Sequence, residues 1–229
     1  MDTYTLPNRI RTSSRLVICG GGASAILLLR ALAESAHHGI HVTVIEPSGS
    51  TASDSLQTYV ASLQRSATVR VTRINSVADS VIPRDGEWEV VPAHGDAVRA
   101  DVVVVATADN EFELQTHPFA GNLLLQNLVS DSIACQDSHR HGIAIDEQAH
   151  VIAEDGSVHA TLYALPPAKE AVDDPEVTSI AQIRSLAEAI VREVFTAPLQ
   201  MWRALPNADT FSSAMRFITG KESASSAHV

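Results

Sequence analysis

The sequence predicts an α/β domain in which a parallel sheet with helices is combined with an antiparallel β-meander. Three observations support this prediction. Apolar runs of strand length alternate with a helix pattern near the start, short alternating segments separated by turns occupy residues 77–98, and four consecutive valines follow at 102–105. A continuous apolar run is typical of a strand buried on both faces, whereas alternation is typical of an antiparallel strand with one exposed face.

Residues 15–46 carry the clearest pattern. An apolar strand is expected at residues 16–19, a helix with a broad apolar face at 23–36, and a second strand at 40–45. Strand, helix and strand within about 30 residues form a right-handed parallel crossover.

The remaining elements follow from the same periodicities and from turn residues. Residues 123–128 form an apolar patch to which no element is assigned. The other predicted elements, in chain order, are a helix at 56–63, strands at 68–74, 77–82, 88–91, 97–98, 101–106, 142–146, 150–153 and 161–165, and a helix at 177–195.

The amino-acid composition makes some classes of function poor candidates. The chain has 229 residues, with 27 Asp and Glu against 16 Lys and Arg. An acidic chain without a basic stripe is a poor candidate for nucleic-acid binding. There is no apolar run of membrane-span length, no apolar signal-peptide core and no disulfide framework, so we expect a cytoplasmic protein that does not enter a membrane.

The glycine-rich turn after the first strand matches the pattern Gly-x-Gly-x-x-Gly/Ala. Gly20 permits the tight turn, Gly22 lets the backbone approach a pyrophosphate, and Ala25 is small enough for the helix to pack on the sheet. Ala23 and Ser24 open the helix, whose first amides and positive dipole end would face the phosphates. These residues are candidate dinucleotide ligands.

Glu46 ends the second strand, 21 residues after Ala25, and Pro47 follows it. A carboxylate at this position can accept both hydroxyl protons of an adenosine ribose, and it would repel a 2′-phosphate. The pattern therefore favours FAD or NAD over NADP. The alternative is a structural turn whose glycines serve only packing.

The carboxyl end of the four-valine strand is a further candidate region. Ligands of open parallel sheets bind outside the carboxyl ends of the strands. Residues 107–110 follow that end and are expected to contact the cofactor, the alternative being a helix cap or a solvated turn.

Other reactive side chains receive structural interpretations. His139 and His141 lack a cysteine or carboxylate partner at a metal-binding spacing, so no metal site is predicted. Cys19 is expected to be a buried strand residue, and Cys135 has no neighbouring base or Cys-x-x-Cys motif. No nucleophile-elbow or phosphate-binding Gly-x-x-x-x-Gly-Lys motif occurs, and no catalytic residue can be named.

The chain resembles the FAD/NAD(P)-binding oxidoreductase superfamily, in particular bacterial FAD-NAD(P)-binding proteins related to flavin monooxygenases. The resemblance implies a Rossmann-like FAD/NAD(P)-binding fold, and the meander between the third and fourth parallel strands is typical of this superfamily, which favours FAD over NAD. The segments that carry the likeness are residues 15–25, 41–47, 100–107, 142–165 and 177–195.

The chain also departs from the family pattern. Only residues 47–65 stand where relatives have a long segment that wraps the flavin and builds a substrate domain. The family's Ala-Thr-Gly turn is Ala106-Thr107-Ala108 here, and residues 165–168, Leu-Pro-Pro-Ala, replace a Gly-Asp pair that binds the ribityl chain in relatives. The chain thus looks like a trimmed member in which the ADP half of the site is better supported than the flavin half.

Together these features predict an FAD-dependent oxidoreductase, or its nucleotide-binding subunit, that acts on a small molecule. We expect a second copy or another subunit to complete the active site. The alternatives are an NAD(H)-binding dehydrogenase or sensor, and a non-catalytic accessory protein of a biosynthetic pathway. The expected organisation is a flexible lead at residues 1–14, one domain at 15–205 and a partly disordered tail at 206–229.

Overall fold

The computed structural model describes residues 14–35, 39–47, 51–66, 69–106, 122–137, 142–166 and 180–196. The chain divides into two compact units, Met1–Val194 and Phe195–Val229. The predicted tail boundary at residue 205 lies outside the described residues, so the predicted division of the chain stays a prediction.

The elements of the described residues follow each other in an order close to the predicted one. In chain order they are β1 (Ser14–Cys19), α1 (Ala23–Glu34), β2 (Ile40–Ile45), α2 (Thr51–Ser66), β3 (Val69–Ile74), β4 (Ala78–Arg84), β5 (Glu87–Pro92), β6 (Val98–Ala100), β7 (Val102–Val105), α3 (Leu123–Ser130), β8 (Gln136–Asp137), β9 (Gly142–Ile143), β10 (His150–Ile152), β11 (Val158–Ala164) and α4 (Ile180–Val191), which a π-helical turn, Arg192–Thr196, continues.

The main sheet has the strand order β10-β11-β7-β1-β2-β3. All neighbouring pairs are parallel except β10 with β11, which is antiparallel. The chain runs outward from β1 through β2 to β3, and then returns to the other side of β1 to form β7. This reversal creates a topological switch point at the carboxyl end of β1, where ligands of such sheets bind. The Rossmann-like α/β fold predicted from the sequence is confirmed.

The predicted meander is confirmed as a separate antiparallel sheet, in the order β4-β5-β6. Its first hairpin turns at Asp85 and Gly86, which both have positive φ (54° and 78°), as a two-residue hairpin of matching twist requires. The buried Trp88 of β5 donates from Nε1 to Thr161 Oγ1 at 2.9 Å, which joins the meander to β11.

The main sheet is covered on both faces, which explains the unbroken apolar runs of its strands. Val17, Cys19 and Val105 pack with the meander and α3 in one hydrophobic cluster. Helix α1 packs against α4. All four residues of β1 from Leu16 onward and all four of β7 are buried. Among the described helices, none has both the length and the apolar character needed to span a bilayer.

The structure differs from the sequence prediction mainly in helices. The apolar patch at 123–128 is helix α3, which begins because the Asn122 side chain accepts a hydrogen bond from the Leu125 amide at 3.2 Å. Helix α2 begins at Thr51 rather than at residue 56, since its first turns are polar and gave no apolar periodicity. Strand β11 likewise begins at Val158 rather than at residue 161.

Candidate dinucleotide-binding site

The turn after β1 has the geometry that the glycine pattern predicts. Gly20 has a φ of 117°, a region that side chains disfavour, so glycine is required there. Its amide donates to the Ile45 carbonyl of β2 at 2.9 Å. The chain therefore leaves β1 in a sharp turn that is fixed to the end of the neighbouring strand.

Gly22 is the N-cap of α1 and has no side chain to accept a hydrogen bond from the first-turn amides. Its carbonyl accepts from the Ile26 amide at 3.2 Å, which starts the helix. No described atom outside its chain neighbours lies within 4 Å of the position that a Cβ would occupy. The first amides of a helix have no intrahelical acceptor, so this N-terminus can bind an anion that approaches over Gly22.

The next three residues have different environments. Ala23 is exposed, whereas Ser24 and Ala25 are buried. Ala25 fits its predicted packing role, since none of its surface is exposed. The Ser24 hydroxyl donates to the Pro166 carbonyl at 2.7 Å, so the side chain ties α1 to the segment after β11. Ser24 would therefore contact a phosphate through its backbone amide.

Glu46 lies where the pattern places it, immediately after β2, and its amide donates to the Ile74 carbonyl of β3 at 3.1 Å. Its side chain is 5% exposed and pairs with Arg73, with 3.3 Å between Oε2 and Nη2. The glycine pattern and its acid do not indicate this cation. Pro47 is exposed at the rim.

Gly21 is a site residue that the motif did not identify, because the pattern allows any residue there. A Cβ at Gly21 would lie 1.9 Å from Cδ of Glu46, so the carboxylate occupies the space that a side chain would need. The signal was present in the sequence as a third glycine at a position where the motif requires none.

The carboxyl ends of the neighbouring strands meet the glycine turn. The Ala106 amide donates to the Cys19 carbonyl at 2.8 Å, and the Leu165 amide donates to the Val105 carbonyl at 2.8 Å. The structure thus brings Ala106 to the same edge of the sheet as the glycine turn and Glu46. Thr107 and Ala108 lie outside the described residues.

The thiol of Cys19 is fully buried, and burial raises its pKa to about 12. It is therefore a neutral packing residue, as the sequence analysis expected. Cys135 is partly exposed and its Sγ lies 3.6 Å from the Gln136 carbonyl oxygen. His139 and His141 lie outside the described residues, within which no group of three potential ligands could hold a metal ion.

A second polar cluster, which no sequence pattern indicates, surrounds His150. His150, on β10, is held by Asp146 on one side and Glu193 on the other, with Nδ1 to Oδ2 at 2.9 Å and Nε2 to Oε1 at 3.1 Å. The ring also stacks on Tyr163, with centroids 4.6 Å apart. We call these four residues the His150 cluster. Asp146 is four residues from His150, but Glu193 is 43 residues away, so the cluster does not form a recognisable sequence motif.

The described surface also has an open depression of about 460 Å³. It lies beside the turn between β10 and β11 and includes none of the residues at the glycine turn. Its lining residues are Ser132, Ile133, Ala153, Glu154, Asp155, Ser157 and His159.

No family model matches the chain, and no curated protein matches it. Solved structures with some structural similarity include the copper(II) complex of the HOCl-induced flavoprotein disulfide reductase RclA from Escherichia coli. The match has 16% sequence identity and a TM-score of 0.35, and it covers 83% of this chain and 37% of that chain. LpdA from Mycobacterium tuberculosis has 15% identity over 80% of this chain and 36% of its own, at a TM-score of 0.36.

The chain thus spans little more than a third of these two proteins. Sequence identities and TM-scores this low do not support a conclusion about function. The fold assignment rests on the strand order of the sheet itself.

Proposed function

We propose that this chain is the nucleotide-binding domain of an FAD-dependent oxidoreductase, and that it binds the ADP part of the cofactor at the mouth of α1. The observation that carries the proposal is the uncapped N-terminus at Gly22, which opens at the switch point of a parallel sheet. A diphosphate fits this position because backbone amides and the helix dipole both stabilise negative charge there.

The adenosine ribose would lie between the glycine turn and Glu46. Gly20 is hydrogen-bonded to the end of β2, so the turn and the carboxylate belong to adjacent strand ends. A carboxylate accepts hydrogen bonds from both ribose hydroxyls. Glu46 is folded against Gly21 in the structure, so ribose binding requires its side chain to rotate outward.

The meander supports FAD over NAD as the cofactor. The resemblance to the FAD/NAD(P)-binding superfamily includes an antiparallel sheet between the third and fourth parallel strands, and β4 to β6 occupy that place. When bound, the flavin would supply the redox chemistry on a small-molecule substrate, while the protein positions it. Between β2 and β3, the part of the chain that the structure describes consists of Glu46, Pro47 and helix α2, so we propose that a second copy or another subunit completes the active site.

Two alternatives are separated by simple measurements. An NAD(H)-binding protein would be colourless and would gain thermal stability with NADH. Ligand binding to the native state raises the melting temperature. A non-catalytic accessory protein would therefore show no rise in melting temperature with either cofactor. A yellow protein with flavin absorption bands supports the proposal.

The decisive variant is Gly22→Val. Its backbone, with φ of −69° and ψ of −167°, suits valine, and the space around the new Cβ is open, so the variant should fold. The added side chain would stand over the first-turn amides and exclude the diphosphate. We expect loss of FAD retention and of ADP-ribose binding, with an unchanged circular dichroism spectrum.

Gly22→Ala serves as the graded control, because its single methyl group fills less of the same space. We expect it to bind ADP-ribose more weakly than the wild type but measurably. Binding of ADP-ribose to Gly22→Val with wild-type affinity would show that the ligand does not use this turn.

A further inference from the structure

The hydroxyl of Ser24 connects the first turn of α1 to the chain that leaves β11. Ser24 is 3% exposed and donates to the Pro166 carbonyl at 2.7 Å, across 142 residues of sequence. Building on the proposed function, we infer that Ser24 is a positioning residue of the cofactor site. It holds the backbone of Leu165 and Pro166 as a wall beside the helix mouth, and the half of FAD beyond the diphosphate lies along this wall.

The strand order determines which half of the cofactor meets the wall. The mouth of α1 follows β1, and Glu46 lies at the end of the neighbouring strand β2. A dinucleotide bound at a switch point extends across it, so its two halves lie over strands on opposite sides. With the adenosine on the β2 side, the flavin half leaves over the ends of β7 and β11, where Ala106 and Pro166 lie.

The wall is stiff because of its covalent structure and its two anchors. The Leu165 amide donates to the Val105 carbonyl at 2.8 Å, which fixes the end of β11 to β7. Pro166 has a restricted φ, and Pro167 after it in the sequence restricts its ψ as well. The Pro166 carbonyl therefore has a nearly fixed direction, and the bond from Ser24 sets its distance from α1.

The Ser24 hydroxyl acts through this bond and not on the phosphate. A serine hydroxyl has one proton to donate, and that of Ser24 is given to the Pro166 carbonyl. The backbone amide of Ser24 remains for the diphosphate, since the first amides of a helix have no intrahelical acceptor. A change of the side chain therefore removes the connection to Pro166 and keeps the amide.

A purely structural contact makes a different prediction. If the Ser24 hydroxyl only stabilised the fold, its loss would lower the free energy of unfolding and would not change the relative affinity for two nucleotides. FAD and ADP share the adenosine and the diphosphate, and they differ only beyond these groups. The ratio of their dissociation constants is therefore the informative quantity.

The experiment is isothermal titration of the full chain, after removal of any bound flavin, with FAD and with ADP. For the wild type we expect FAD to bind more tightly than ADP, because only FAD reaches the wall. Ser24→Ala should weaken FAD by about fivefold more than ADP, the effect of one neutral hydrogen bond. Alanine is the best helix former, so this variant should fold. Ser24→Cys, which keeps nearly the same volume but is a weak donor, should change the ratio in the same way.

Ser35→Ala is the matched control. The Ser35 hydroxyl also donates to a carbonyl at 2.7 Å, that of Leu32, but at the other end of α1. This variant should leave the ratio unchanged. A wild type that binds FAD no more tightly than ADP, or a ratio that neither Ser24 variant changes, would overturn this inference and leave ADP binding at the helix mouth intact. If the wild type binds neither nucleotide, the proposed function fails and the inference fails with it.

Discussion

The glycine turn and the His150 cluster both place carboxylates against a basic side chain in partly buried surroundings, yet they differ in what they leave available to a ligand. Around His150, both ring nitrogens contact carboxylates and the ring face is covered by Tyr163. At the mouth of α1, the helix has no side-chain cap, and the space over Gly22 is open. Burial and charge are common to both regions, so neither identifies a binding site.

The difference between the two regions shows which property does identify a binding site. Both ring nitrogens of His150 already have a carboxylate within hydrogen-bond distance, so the ring has no polar atom left for a ligand. A helix N-terminus presents donors that nothing within the helix can satisfy. Donors left for an external acceptor, rather than charge as such, therefore mark the candidate site.

The largest effect on stability is expected from His150→Ala. The change removes the ring that hydrogen-bonds to both Asp146 and Glu193, and it removes the stacking contact with Tyr163. We expect a loss of about 2 kcal/mol in the free energy of unfolding, because both carboxylates are partly solvated and can relax. Urea denaturation monitored by circular dichroism measures it.

His159→Ala is a suitable control for this variant. His159 donates from Nε2 to the Ile133 carbonyl oxygen at 2.8 Å, and its ring packs edge-on against Trp88. His159→Ala should lower the free energy of unfolding by less, about 1 kcal/mol. His150→Ala should still bind ADP-ribose with wild-type affinity. A variant of wild-type stability that no longer binds ADP-ribose would reverse the roles given to the two regions.

A smaller effect on stability is expected from Gly21→Ala. The new Cβ would overlap the Glu46 carboxyl group, which is the end of a flexible side chain and can rotate away. Gly21 is not among the glycines with positive φ, so backbone strain does not contribute. We expect a loss of about 1 kcal/mol from overpacking and from separation of Glu46 from Arg73.

A double-mutant cycle tests this cause directly. In a Glu46→Ala background the overlap is absent, so Gly21→Ala should cost nothing there, and the coupling energy should be close to the full cost of the single change. Equal costs in both backgrounds would show that Gly21 is needed for another reason.

The sequence predicted the first crossover unit well because its signals are local. The apolar strand, the glycines that follow and the apolar face of α1 all act within a few residues of each other. The position of Glu46 at the adjacent strand end follows from the same unit. The meander could be predicted because its turns carry the residues that such turns require.

The missed features depend on three-dimensional packing. Arg73 meets Glu46 only when β2 and β3 pair in their actual register. The requirement for glycine at position 21 comes from the side chain of Glu46, 25 residues away. His150 meets Glu193 across 43 residues. Helix α3 was missed for another reason, because it is short and its start depends on one capping side chain.

The smallest effect on stability at neutral pH is expected from the ionisation of Cys19, which lies directly before the glycine turn. Its pKa is raised from 9.0 to about 12 by burial, so the folded state favours the neutral thiol. This contribution to stability is complete below pH 9 and is lost as the pH rises toward 12, by about 1.4 kcal/mol per pH unit, because the unfolded chain releases the proton first. Cys19→Ala should therefore flatten the alkaline part of the stability profile, whereas Cys135→Ala, at a partly exposed position, should leave it unchanged. Urea denaturation between pH 7 and pH 11 measures the stability profiles of both variants. Parallel profiles for the two variants would mean that the end of β1 is open to water. That result would also weaken the case for a tightly fixed turn at Gly20.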